Sequence, residues 1–415
     1  MNRRDLLLGG SSLMMAGLAT QAVSAAPEPA SKIVSTGSFG AIGDGQHDDT
    51  AALQKAIDAN FNSSEPGLLR IEPGTYRVTQ TLHIPLTSRV RGMYTRHIGI
   101  QAYGARIRSE ISGGNVVEIV SDATIRFLLI DGLDIQGTGR EGHGLVLQCI
   151  GNGRYIYNFA LRDVVVQGCG NDGLNMIGNI FEGQLFNSYF RDNHNNGATF
   201  GHDGRGGILS AIHVFGCVFG GNGGEGAAII NKAADVSFHG CYFLENDRFG
   251  LNAGNGVLLL AHCGFENNHR RAANFGGGDA GLKLGNFGTL IGCTAYSIHH
   301  QTHLVNAYLT NHLTMVGCTG EGGGEAQGAK LAKIQGDARA GAAATLIGCR
   351  GGVEAQGVDP VEIGQKTFGA KFGSDWNSTA LPRFGNYTIW IDKGGKLRIK
   401  NGTPQSDGDG QPVGA

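Results

Sequence analysis

Apolar and polar positions alternate with a period of two through most of the chain, in short runs broken by glycine and asparagine. The runs repeat. Between Phe186 and Asn268 the sequence reads Ser188-Tyr-Phe-Arg-Asp-Asn193, Cys217-Val-Phe-Gly-Gly-Asn222, Cys241-Tyr-Phe-Leu-Glu-Asn246 and Cys263-Gly-Phe-Glu-Asn-Asn268. A small residue is followed two positions on by Phe and five on by Asn. A polar bend, a Gly and a further alternating run complete each copy. Weaker copies begin at Leu133, Val164, Cys293, Cys318 and Cys349, at steps of 22 to 31 residues.

A period of two marks strands, and a recurrence in that range marks a stacked repeat with loop insertions on a constant core. A single short strand cannot bury a face. Coiled into a solenoid, each rung hydrogen-bonds to the next, and the inward Cys and Phe stack in columns. Asparagine suits the corner because it tolerates the left-handed region and bonds neighbouring backbone groups. The expected fold is all-β: a right-handed parallel β-helix of nine or more rungs at about 4.8 Å per rung, with a short N-terminal capping helix.

The 71 glycines among 415 residues would otherwise read as low complexity, but they fall at the turns of the repeat. A net charge of −2 argues against a nucleic-acid surface. Six of the eight cysteines, at 217, 241, 263, 293, 318 and 349, share one column. Parallel Cβ vectors in such a column make poor disulfide geometry, so these read as small buried hydrophobes. Residues 1–26 carry Asn2-Arg3-Arg4-Asp5-Leu6-Leu7, an apolar stretch and Val23-Ser24-Ala25, the form of a cleaved twin-arginine signal peptide. A periplasmic or secreted location follows, with no membrane contact after cleavage. The β-helix is expected over 33–385, a hairpin over 386–400 and a disordered Gly/Asp/Ser/Pro-rich tail over 401–415.

Residues 33–58 include Phe39-Gly-Ala-Ile-Gly-Asp-Gly-Gln-His-Asp-Asp-Thr-Ala-Ala-Leu-Gln-Lys-Ala-Ile-Asp58. Asp48 or Asp49 is placed to cap a helix over 50–59, whose Ala52, Leu53, Ala56 and Ile57 form one apolar face. This stretch, with Ile71-Glu-Pro-Gly-Thr-Tyr-Arg-Val78 after it, resembles the N-terminal signature of the pectate-lyase-like superfamily, in its rhamnogalacturonase/epimerase-like form. The resemblance implies a secreted β-helix that acts on a polysaccharide, as a monomer or homotrimer. That superfamily spans lyases, hydrolases, epimerases and tailspikes. Asp44, Asp48 and Asp49 read as structural.

The bends after the Asn corner line up as a polar stripe beside a flat strand floor. Its occupants include Arg140, Glu141, Asp172, His194, Glu225, Asp247, Arg248, His269, Arg270, Arg271, His299 and His300, and its floor Val146, Asn175, Thr199, Ala228, Asn252 and Lys283. Pectate lyases resemble this layout. Cleavage of a uronate polysaccharide by β-elimination needs a cation at the carboxylate, a base near neutral pKa and an acid for the leaving oxygen. Arg248, Arg270, Arg271 and Lys283 are candidates for the cation, and His269, Lys283 or an Arg of depressed pKa for the base or the acid. Asp172, Asn175, His194, Asn252, Arg270 and His300 are expected to bind substrate.

The alternatives are a glycoside hydrolase on Glu225 and Asp247, and a non-catalytic glycan-binding β-helix. Polygalacturonase-type hydrolases carry Gly-His-Gly after their acids; here Gly142-His-Gly144 precedes Asp172, so that mechanism is not assigned. No cofactor is expected. A calcium site would draw on Asp172, Glu225 and Asp247, which lie far apart along the stripe.

Overall fold

The computed structural model describes residues 32–87, 97–150, 153–201, 207–230, 233–254, 257–269, 280–297, 303–322, 330–336, 341–358, 360–363, 383–384, 386–392, 394–406 and 408–413. The expected signal segment, Arg270, Arg271, His299 and His300 lie outside them. The chain is a right-handed parallel β-helix. Among the described residues one face is an 11-stranded sheet running from Asp44–Asp48 to Thr319–Gly322, and the other two faces form a 28-stranded sheet. Parallel pairing extends to Val361–Ile363, beyond 351, where the repeat fades in the sequence.

Three columns hold the rungs together. Phe190, Phe219, Phe243 and Phe265 are stacked near-parallel, with centroids 5.5, 5.1 and 4.8 Å apart. At the corners Asn193, Asn222, Asn246 and Asn268 form a buried ladder. Each Nδ2 donates to the next Oδ1, at 3.1, 2.9 and 2.8 Å, and also to a Phe or Val carbonyl of the preceding rung. The third column is the cysteines. All eight are buried and free. The Sγ atoms of Cys241, Cys263, Cys293 and Cys318 each donate to a carbonyl of the rung before, at 3.5 Å. Burial pushes the thiols of Cys169 and Cys217 up to about 12, so they stay neutral and inert.

The helix α1, Thr50–Phe61, covers the N-terminal end with Leu53, Ala56, Ile57 and Phe61 buried. Asp49 stands at its N-cap position but accepts no capping hydrogen bond from the helix amides. Its carboxylate instead accepts from the amides of Ile42 and Gly43, while Asp48 accepts from Thr50 N and Thr79 Oγ1. These acids tie the cap to the first rungs.

At the other end Tyr387–Ile391 pairs antiparallel with Leu397–Asn401 as a hairpin. The expected disordered tail is corrected: Gln411–Pro412 adds a further antiparallel strand beside Arg398–Ile399. Arg398 Nη1 donates to the carbonyls of Gly408 and Gly410, and Lys400 pairs with Asp409. Composition counts the polar residues of 401–415 but not these partners on the hairpin.

Candidate functional site

Register makes the stripe. Successive parallel pairs align Glu118, Val146, Asn175, Thr199, Ala228, Asn252 and Lys283 in one outward row. Beside it, amide-to-carbonyl bonds align the bends. His194, Gly223 and Asp247 take the position after the corner. Asp172, Asn196, Glu225 and Phe249 take the third position. Glu225 and Asp247, the pair expected for hydrolysis, therefore occupy different columns of the bend. They lie on adjacent rungs but two positions apart along the bend, because their loops enter the corner with the same spacing. Both are buried, at 6% and 7% exposure.

Third-position side chains fold back onto the floor: Asp172 bonds Asn175, Asn196 bonds Thr199 and Glu225 bonds Asn252. Val146, Asn175, Thr199 and Ala228 of the outward row are buried. Asp172 is the hub. Its Oδ1 accepts from Asn195 Nδ2 at 2.7 Å and Asn196 N at 3.1 Å. Its Oδ2 accepts from Asn175 Nδ2 at 2.9 Å and lies 3.5 Å from His143 Nδ1. Asn171 Nδ2 sits 3.3 Å from His143 Nε2, and Asn115 Oδ1 accepts from the His143 amide. His143 Nδ1 faces the Asp172 carboxylate at ion-pair distance, longer than an ordinary hydrogen bond. A buried carboxylate thus stands beside a half-buried imidazole, an arrangement suited to proton transfer. Asn175 Oδ1 is also buried with no hydrogen-bond partner among the described residues, a cost of the kind that functional sites carry. His194 is exposed and its ring packs over Gly139, where a Cβ would come within 2.5 Å of it.

A second cluster lies farther along. Glu225 Oε1 accepts from Asn252 Nδ2 at 3.2 Å and pairs with Arg248 Nη1 at 3.6 Å. The Arg248 side chain is 43% exposed against 8% for Glu225. Lys283 is exposed, its Nζ 5.7 Å from the Phe249 ring centroid. His269, expected as base, is 4% exposed and packed edge-on against Phe249, centroids 4.4 Å apart. Its position after the corner turns it inward onto the ring.

The sequence reading missed two features. His143 was passed over because its Gly-His-Gly stands before the acids in order; coiling places it one rung from Asp172. The other is a cleft of about 790 Å³ between α1 and the first rungs, lined by Asp48, Gln54, Lys55, Thr81, His83 and Gly114. His83 and Glu118 are register partners, so the cleft opens onto the N-terminal end of the floor row. Among the described residues no group of three His, Cys, Asp or Glu side chains is placed to hold a metal ion. No described helix is long and apolar enough to cross a membrane.

Comparison with known proteins agrees with this architecture. Residues 33–106 match the family model described as rhamnogalacturonase A/epimerase, pectate lyase-like, and residues 338–415 match that described as capsule depolymerase. Among solved structures, ORF18 of Geobacillus virus E2 is similar with a TM-score of 0.59 and 19% identity, over 88% of this chain and 68% of that one. The A-module of the mannuronan C-5 epimerase AlgE4 of Azotobacter vinelandii is similar with a TM-score of 0.51 and 14% identity, over 78% and 97%. Among curated proteins no sequence matches. The chain carries the pectate-lyase-like signature over its first rungs, on the β-helix that these structures share.

Proposed function

We propose that this protein cleaves an acidic, uronate-containing polysaccharide by β-elimination along the polar stripe. One observation carries the reading: the carboxylates of the stripe are buried and hydrogen-bonded, while its cations are exposed. Asp172, Glu225 and Asp247 are each under a tenth exposed, whereas Arg140, Arg248 and Lys283 face outward. A groove with that accessible charge attracts a polyanion. The family descriptions matched at the two ends of the chain, pectate lyase-like and capsule depolymerase, are compatible with a polysaccharide substrate.

The chemistry needs no co-reactant. A base removes the proton on the carbon next to the uronate carboxylate. The electron pair forms a C=C bond with the neighbouring ring carbon, the glycosidic C–O bond there breaks, and the leaving oxygen takes a proton. His143 Nε2, oriented through Nδ1 by Asp172, is the proposed base, and the exposed Arg140 in the same bend neutralises the reacting carboxylate. His194 is the proposed proton donor. Lys283 stands five rungs from the His143 rung, roughly 24 Å away at the strand spacing. Arg248 and Lys283 therefore bind carboxylates of sugars distant from the bond cut.

Arg248→Ala and Lys283→Ala are expected to raise KM about fivefold each with kcat within twofold, the size of a solvent-exposed charge contact. The effect should shrink as salt is raised. A fall in kcat at unchanged KM would place these cations at the reacting sugar instead, and no change in either constant would remove the cationic track.

A further inference from the structure

The outer face of the 11-stranded sheet carries three exposed tyrosines, Tyr189, Tyr242 and Tyr296, at 40%, 53% and 48% exposure. Register fixes their spacing. Tyr189 pairs with Val218 and Val218 with Tyr242, so the first two rings share a row two rungs apart. Tyr242 pairs with Gly264 and Gly264 with Thr294, which puts Tyr296 two further rungs on, in the adjacent same-face row. One ring thus stands on every second rung, a rise of roughly 10 Å each time at the strand spacing. That is about the length of two hexapyranose units in an extended chain.

The pose of the middle ring is built. At Gly264 an added Cβ would lie 2.8 Å from Tyr242 Cε1 and 3.2 Å from its Cζ. The other aligned rungs here carry Tyr, Val or Thr at this position. Gly264 leaves room for the Tyr242 ring to lean over the backbone of the next rung, presenting a face to solvent. Tyrosine offers a sugar both an apolar ring face and a hydroxyl for hydrogen bonding.

We propose that Tyr189, Tyr242 and Tyr296 form a second, non-catalytic binding surface for a polysaccharide lying along the solenoid axis, one ring per disaccharide. The inference rests on the polysaccharide reading of the stripe. A second copy of the chain fits this face less well. The rings are separate platforms, and the ion pair of Arg191 with Asp192 and the carboxylate of Glu266 lie among them, whereas the centre of a protein interface is depleted of charge. The surface also adjoins the stripe. Tyr189 and Tyr242 each stand five residues before the bend residues His194 and Asp247 of their own rungs. A polymer held on the tyrosines is retained beside the groove that cuts it.

The test is affinity electrophoresis of the full chain in gels containing polygalacturonate, polymannuronate or hyaluronan, with cleavage of short oligouronides measured in parallel. The triple variant Tyr189→Ala, Tyr242→Ala, Tyr296→Ala is expected to bind the polymer about tenfold more weakly and to cleave oligouronides within twofold of the wild type. Gly264→Val, which crowds only Tyr242, is expected to lose part of the retardation and serves if the triple variant does not fold. Unchanged retardation in both variants overturns the surface and leaves the cleavage reading intact. A change of oligomeric state in the variants, measured by sedimentation, overturns it in favour of a contact between copies. A wild type that neither binds nor cleaves any of the polymers overturns both.

Discussion

His143→Gln is expected to lower kcat by about 10²- to 10⁴-fold, the usual contribution of a positioned proton-transfer group. The fold should survive. The backbone amide of His143, which donates to Asn115, is untouched, and the imidazole is half-buried at the edge of the bend. Asp172→Asn separates orientation from chemistry. It keeps the contacts with Asn195 and Asn175 within reach but removes the anion that faces Nδ1. The loss should be smaller than that of His143→Gln and should fall on kcat, since the imidazole itself is kept. Kinetics of both variants beside their melting curves check this. Activity of His143→Gln within twofold of the wild type, at unchanged stability, would remove His143 from the chemistry.

The second large effect is on stability. Asn246 Nδ2 donates to Asn268 Oδ1 and to the Phe219 carbonyl, and its Oδ1 accepts from both the amide and the Nδ2 of Asn222. All are buried. Asn246→Ala takes the side-chain partner from the buried Asn222 amide and Phe219 carbonyl, while Asn222 Nδ2 keeps the Phe190 carbonyl and Asn268 Oδ1 keeps the Asn246 amide. At about 1–3 kcal/mol for each buried unsatisfied group, the loss is about 2–6 kcal/mol. That is a large part of a typical folding free energy. Because each rung contacts only its neighbours, the damage should appear first as a local opening around rungs 217–263. Urea denaturation followed with amide exchange measures both. A loss under about 1 kcal/mol would show that the ladder is not what fixes the corner.

Much of this was legible in the sequence because a solenoid writes its contacts into a linear period. The Phe at the second position and the Asn at the fifth recur together, and each recurrence is a physical stack. The same logic revealed the free cysteine column and the floor row of Asn175, Asn252 and Lys283. What did not show was the offset inside the bends. A Glu three positions after the corner and an Asp one position after it look equivalent in a list of polar residues, yet Glu225 and Asp247 occupy different columns. Burial was equally hidden: His269 turns onto Phe249, and Asp172 is held by Asn175 of its own rung and by Asn195 and Asn196 of the next. His143 was missed for a related reason. Motif order is a property of the chain, whereas a coil brings a later acid beside an earlier histidine. The tail after 401 shows the same limit, since Arg398 and Lys400 supply partners that composition does not count.

The central claim is that the exposed cations and the oriented imidazole of the stripe cut a uronate polymer by elimination. The most direct measurement follows near-ultraviolet absorbance and reducing ends together, as the purified protein acts on a panel of acidic and neutral polysaccharides. This account predicts that both signals rise in step on an acidic polymer, because each cut leaves one unsaturated sugar and one reducing end. Reducing ends without absorbance would contradict elimination and indicate hydrolysis. Silence on every polymer would contradict a cleaving site altogether.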